Sequence, residues 1–431
     1  MELTLAQQQE IGLPFVLDRL QPLSPLGRER KRALRPYARD ELAPLQRELE
    51  NLGKAVALGE MPALDRFRQG LMQLRDIRAT VARLKERELD QVELFELKRY
   101  LMLLRGMAED FETLQEIARW EGIALRDVPE ALSILDPEGS GNPSFSLRDQ
   151  WSCELAAARR EKREIEKQIS LAAGGEREAL LIRRTAVVLR EETAEQKLCA
   201  DLSKSLRPYG PAISHSLEAL GHLDLLLAKA ALAKELGGVQ PILTDRELSL
   251  VNMVHPSMAD SLQRQGAAFM PLSLALGPGA AVLTGANMGG KSVCLKTLAL
   301  NVYLVHCGLF PFAREAQVPF FDQLCLVWGE GEDGREGLSS FGGELMAADA
   351  AARAARRYLV RGIRDLDAAE GRRMIAAGAD MLSVLRRFMD YGVEEITNAD
   401  VPQKALVVAE LLGVEEGLFS AVRREYILSE D

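Results

Sequence analysis

The sequence predicts a long all-helical region followed by an α/β domain, and three observations carry that reading. Apolar residues recur three and four apart through most of the first 238 residues, in stretches rich in Ala, Leu, Glu and Arg. Aromatic residues are only 5% of the 431 residues while apolar residues are 47%, the balance of a mostly helical chain with aliphatic cores. After Gly237-Gly238 the pattern changes to short apolar runs, one of which leads into a glycine-rich octet and then a helix. The length provides for roughly two to four domains. The expected division is a helical core over 1–144, a helical lever hairpin with its return helix over 145–238, and an α/β domain with closing helices over 239–431.

The helices come in order. "LAQQQEIGLPFVLDRL" and "PLGRERKRALRPYARDELAPLQRELENLGKAVAL" hold helical spacing and are broken at Pro22, Pro25 and Pro36, because proline lacks the N–H that an interior turn requires. "ALDRFRQGLMQLRDIRATVARLKE" and "DQVELFELKRYLMLLRGMAEDFETLQEIARWEG" continue the pattern. "DVPEALSILDPEGSGNPSFSLRDQW" gathers Pro129, Pro137, Gly139, Gly141 and Pro143, which predicts a connector. Two long polar-faced helices come next, about Cys153 to Ala172 and Glu176 to Leu206, joined at Gly174-Gly175 as a hairpin. "SHSLEALGHLDLLLAKAALAKELGG" closes the helical region.

Composition narrows the function classes. The opening residues scatter charge and no long uncharged apolar run exists, so neither a signal peptide nor a membrane span is expected and a cytoplasmic protein is. Five cysteines show no C-x-x-C pairing, and His306 beside Cys307 lies in an apolar helical stretch, so packing rather than zinc or a disulfide framework is expected there. The net charge is −10, and double-stranded DNA would require a localised basic patch on such a chain. The best candidate, Arg159 to Arg184, alternates its cations with Glu at helix-pair spacings, which predicts a salt-bridged helix surface.

The chemistry concentrates in "AAVLTGANMGGKSVCLKTLALNVYLVHCG", Ala280 to Gly308. Ala281 to Thr284 predicts a buried parallel strand that runs into Gly285, Ala286, Asn287, Met288, Gly289, Gly290, Lys291 and Ser292, the pattern G-x-x-x-x-G-K-[ST]. A helix is predicted from about Lys291, with Gly308 placed to end it. Glycines let backbone N–H groups close round phosphate oxygens, and the helix N-terminus adds partial positive charge. Lys291 would reach the β- and γ-phosphates and the Ser292 hydroxyl would take a Mg²⁺ position, which makes ATP with Mg²⁺ the expected ligand.

"TGANMGGKS" followed by "EGLSSFGGEL" resembles the MutS family of ATPases, with its Asn-Met-Gly-Gly loop core and its Ser-Thr-Phe segment ending in an acidic residue. "MVHPS", "FMPLSLAL", "LDLLLAKAALAKELGG" and "LDRLQPLSPLGRERKRALRP" extend the resemblance along most of the chain. It implies that Gly285 to Ser292 bind the ATP phosphates and Mg²⁺, and that Phe269 stacks on adenine, an ordinary core phenylalanine being the equal alternative. It also implies that Ser339 and Ser340 touch the nucleotide of a neighbouring subunit, in a homodimer or a dimer with a related chain.

The resemblance then breaks. The family continues with an apolar strand ending in Asp-Glu and a histidine loop, whereas this chain passes from "GGELMAADAAARAARRYLV" to "RGIRDLDAAEGRRMIAAG" with no such strand and no histidine after His306. The chain passes over the second half of the ATPase, through a deletion or through residues omitted from this sequence. Glu330, Glu332, Asp333, Asp365 and Asp367 read as surface charges, so no catalytic residue is assigned and poor hydrolysis is expected. The chain opens directly into the helical core and its hairpin is short, so mismatch recognition is not expected. The whole pattern is similar to the short MutS-related proteins associated with lysine aminomutases, implying an accessory or reactivating switch for such an enzyme. The alternatives are a DNA-binding repair or recombination ATPase and an inert helical scaffold.

Overall fold

The computed structural model describes residues 3–142, 144–245, 247–277, 290–321, 324–327 and 374–377, with 325–327 and 374–377 as backbone. Helices lead the chain: α1 (Leu5–Glu10), α2 (Leu13–Arg19), α3 (Pro25–Arg32), α4 (Leu42–Ala57), α5 (Pro62–Gln73), α6 (Arg78–Glu86), α7 (Gln91–Ala118) and α8 (Pro129–Leu135). The hairpin helices α9 (Cys153–Leu171) and α10 (Gly174–Leu206) and the return helix α11 (Gly210–Leu236) come next. Beyond them lie β1 (Ile242–Thr244), β2 (Leu248–Met253), α12 (Pro256–Arg264), β3 (Leu272–Leu276), α13 (Lys291–His306), β4 (Glu315–Pro319), β5 (Leu324–Val327) and β6 (Met374–Ala377). The chain is therefore mostly helical with a small mixed sheet. No described helix is long and apolar enough to cross a membrane.

The chain divides into two compact units, each assembled from separate stretches. One comprises residues 22–33 and 57–228, and the other 1–21, 34–56 and 229–431.

In the first of these, the helical unit, α5 packs against α7 so closely that a Cβ on Gly70 would meet Met107 Cγ at 2.7 Å. Phe67, Leu71, Leu97, Leu101 and Leu104 are buried there. Helix α3 begins at Ser24, whose hydroxyl accepts from the Gly27 N–H at 3.0 Å. Asp224 on α11 accepts from the Leu23 and Ser24 N–H groups and the Ser24 hydroxyl at 2.6–2.8 Å. Burial raises the Asp224 pKa, with these donors opposing the shift.

The expected connector is partly helical. Pro129 opens α8 at its first positions, where its missing N–H would have had no helical partner anyway. The remainder is held by buried Asp136, which accepts from the Ser140 hydroxyl, the Gly141 N–H and the Lys98 ammonium at 2.7, 3.1 and 3.3 Å.

The hairpin is present, with its turn at Ala172-Ala173 and α10 opening at Gly174, which has φ +58°. Leu155, Ala158, Ile165, Val187, Ala194 and Leu198 line its buried seam. The stretch read as salt-bridged is so: Arg159 contacts Asp149, Glu191 and Glu195, Lys162 contacts Glu191, and Glu161 takes both Arg183 and Arg190. These cations are committed to nearby carboxylates, mostly of the same hairpin.

In the second unit, four strands form a sheet in the order β1-β4-β2-β3. Strand β1 runs parallel to β4, and β2 runs antiparallel to both β3 and β4. The β2–β3 register shifts between Leu250 and Met253, where Asn252 has φ +53° and its N–H donates to the Ser273 hydroxyl at 2.9 Å. Strands β5 and β6 pair in parallel, Leu324 opposite Met374. The sequence pattern does not anticipate β6, a short run with two alanines and no alternation.

Candidate functional site

The octet is described only at its end. Gly290 has φ +83° and ψ 8° and precedes α13 as its N-cap, in the left-handed region where a side chain is strained. Lys291 and Ser292 occupy the first helical turn, Lys291 half-buried and Ser292 exposed. The Cys294 N–H donates to the Gly290 carbonyl at 2.9 Å, closing the first turn. The earliest N–H groups of a helix have no intrahelical acceptor and carry partial positive charge, so this end of α13 suits an anion.

Gly285, Ala286, Asn287, Met288 and Gly289, and the strand read at 281–284, lie outside the described residues. So do Ser339 and Ser340, and Glu330, Glu332, Asp333, Asp365 and Asp367. Phe269 lies between α12 and β3, half-buried beside exposed Ala268 and Met270.

The body of α13 is locked in place. Residues Thr297 to His306 are all buried, so the helix has no free face beyond its first two turns. Asn301 donates to the Thr297 and Val254 carbonyls at 2.8 and 3.3 Å and accepts from the Phe312 N–H at 2.6 Å. One amide thus ties α13 to the exit of β2 and to the chain leading into β4. Lys296 pairs with Glu10 at 2.5 Å.

His306 closes the far end. Its Nδ1 lies 2.9 Å from the Val302 carbonyl, and its Nε2 accepts from the Phe321 N–H at 2.9 Å. Those partners assign the proton to Nδ1 of a neutral ring, and burial lowers its pKa to about 4. The rings of Phe320 and Phe321 lie 5.1 and 5.9 Å away. The Tyr37 N–H donates to the His306 carbonyl at 2.8 Å. Cys307 is buried, and burial pushes its thiol up to about 12, which fits the packing role read from the sequence. Glycine at 308, with φ +67°, ends the helix turn.

Sequence reasoning misses the residues that hold this helix, namely Asn301, His306 as an acceptor, Glu48 and Lys229. A lone amide inside "LALNVYLVH" is the available signal, since a buried polar group within an apolar helix requires a partner.

Comparison with known proteins bears on the same segment. A model of MutS domain V matches residues 281–360. Endonuclease MutS2 of Thermus thermophilus is 35% identical over 163 residues, covering 38% of this chain and 21% of the relative. Over this segment the chain is similar to MutS-family proteins. Endonuclease MutS2 of Leuconostoc citreum is 30% identical over 161 residues, 36% of this chain and 19% of that protein. DNA mismatch repair protein MutS of Shouchella clausii is 29% identical over 153 residues, with 35% and 18% coverage. The matched stretch spans about a fifth of the length of these MutS relatives.

Proposed function

We propose that this chain is a MutS-family nucleotide-dependent conformational switch that binds ATP with Mg²⁺ through Gly285 to Ser292 and works as a dimer. The observation that carries the reading is the start of α13, where left-handed Gly290 leads directly into Lys291 and Ser292 on the first helical turn. That arrangement would suit a nucleotide triphosphate, because backbone donors of a first helical turn and a lysine on that turn can share one anion. The N–H groups and Lys291 would hold phosphate oxygens and Ser292 would hold the metal, which neutralises phosphate charge when bound. Phe269 is assigned to the adenine ring, and Ser339 and Ser340 to the nucleotide of the neighbouring subunit. No residue of this chain is assigned to activating water, so binding rather than turnover would set the conformational state.

The client in this reading is a metabolic aminomutase, for which the switch is an accessory or reactivating factor. Resemblance to the short MutS-related proteins supports it. A second reading, duplex DNA binding, is favoured by the names of the relatives; the hairpin's committed cations weigh against it.

Titration with a fluorescent ATP analogue tests the primary reading. Lys291→Ala is expected to weaken nucleotide binding at least about tenfold, because a charge-assisted contact is lost, and to leave the helical signal intact. Equal affinity of the two proteins would overturn it. Duplex binding that weakens steeply with salt would favour the DNA reading.

A further inference from the structure

We propose that the helical unit carries a binding site for a small aromatic carboxylate, in the groove between α7 and the segment joining α5 to α6. The site is independent of the nucleotide loop. Its centre is Tyr100, which is only 4% exposed and whose hydroxyl is buried with no hydrogen-bond partner among the described residues. A buried hydroxyl left unpaired is unfavourable, and phenylalanine would fill the same space without that cost. The phenol is thus a donor with no acceptor among the described residues.

The groove it lines supplies the rest of a recognition site. Its open space, mouth included, is about 320 Å³, of which about 20 Å³ can be occupied by the centre of an oxygen-sized atom. Arg75 and Arg99 line it, and neither makes an ion pair or hydrogen bond among the described residues. Three other arginines of this unit are committed: Arg66 to Asp110, Arg78 to Asp76 and Glu29, and Arg83 to Glu93. Glu96 is the one acidic lining residue, and it accepts from the Thr80 hydroxyl at 3.4 Å. Two cations against one carboxylate leave one positive charge, which matches a monoanion.

Half-buried Phe95 and Leu103 form apolar sides. A planar ring would lie against them and beneath a guanidinium plane. One carboxylate oxygen would enter the enclosed space and accept from Tyr100, while the other faces the arginines. Burial raises the Tyr100 pKa, so the phenol remains protonated and able to donate at neutral pH.

The test uses the full chain and 4-fluorobenzoate, followed by fluorine NMR, with 4-fluorobenzyl alcohol and inorganic phosphate as controls. Saturable binding of the carboxylate is expected, with the alcohol and phosphate each at least about tenfold weaker. Tyr100→Phe and Arg99→Gln should each weaken the carboxylate by about tenfold or more. Tyr100→Phe is expected to melt no lower than the unaltered protein. Arg99→Gln, at the half-exposed rim, gives a second measurement should the core variant fail to fold. No saturation up to the solubility limit would overturn the proposal, as would binding that both folded variants retain. Tight phosphate binding that displaces the probe would overturn the aromatic assignment. A destabilised Tyr100→Phe with no probe binding in the unaltered protein would show that the hydroxyl serves a bound water alone, again overturning it.

Discussion

Lys229 Nζ stands 2.7 Å from Glu48 Oε1, and their side chains are only 2% and 6% exposed. The two residues belong to α11 and α4, far apart in sequence, and both lie against Gly308 just beyond α13. A Cβ at Gly308 would come within 3.0 Å of Glu48 Cγ and 3.4 Å of Lys229 Nζ. The chain turn that ends α13 is therefore packed onto a buried ion pair. Removing one partner leaves the other charge buried without this counter-ion, whereas replacing both with apolar groups does not. Lys229→Met is expected to cost about 3–5 kcal/mol of unfolding free energy. The double variant Glu48→Leu with Lys229→Met should recover most of that loss in urea titrations. A single variant as stable as the unaltered chain would remove the pair from the account of how α13 is held.

Acid sensitivity arises from two buried histidines. Burial lowers His255 and His306 to about 4, whereas an unfolded histidine titrates near about 6.5. Between those values the unfolded chain binds more protons, so stability is complete above about pH 6.5 and declines as pH falls toward about 4. From pH 6.5 to pH 5 each histidine contributes a loss of up to about 2 kcal/mol. Urea unfolding at neutral and mildly acidic pH checks this. His306→Gln should be less stable at neutral pH and lose less on acidification, and an unchanged pH slope would contradict the neutral-ring assignment.

Hydrolysis is expected to be absent. With no carboxylate assigned to orient water, Mg²⁺-dependent ATP turnover by this chain should equal that of Lys291→Ala. Turnover clearly above that control would identify a carboxylate that the sequence pattern marks only as surface charge.

Assembly gives the last prediction. If Ser339 contacts a neighbour's nucleotide, sedimentation should show a dimer that forms with Mg-ATP and is disrupted by Ser339→Arg, while the nucleotide-free state is unaffected. A monomer at saturating nucleotide, or an indifferent Ser339→Arg, would favour the inert-scaffold alternative.

The helices are legible in the sequence because their burial is one-sided. In α7, Asp90 and Glu93 form a reciprocal capping box, and Leu94, Leu97, Leu101 and Leu104 recur at helical spacing. Helix α13 is legible for a different reason, a glycine at each boundary, Gly290 and Gly308, both with positive φ. Its anchoring is not, because Asn301 and His306 find their partners through tertiary contacts to Val254, Phe312 and Phe321 that no periodicity encodes. Strand β6 is equally hidden, since its pairing with β5 joins stretches some fifty residues apart. The left-handed Gly12 reads as one position in a continuous helical stretch. Its need for glycine arises from His255, whose Cε1 would lie 2.5 Å from a Cβ there.

The alternation of chain segments between the two units sets an order of events during synthesis. All of residues 22–33 and 57–228 leave the ribosome before Lys229 does, so the helical unit has its complete complement of segments first. Residues 1–21 and 34–56 emerge early, yet their unit also requires Lys229 and the residues after it. At ordinary elongation rates that wait is roughly ten to thirty seconds. Throughout it Leu45, Leu49 and Leu52, buried in the finished protein, belong to a unit that is not yet fully synthesised. Nascent-chain capture by a chaperone should therefore concentrate on α4, and a ribosome stalled when residues up to 228 have just cleared its exit tunnel should present a protease-resistant helical unit and a cleavable α4.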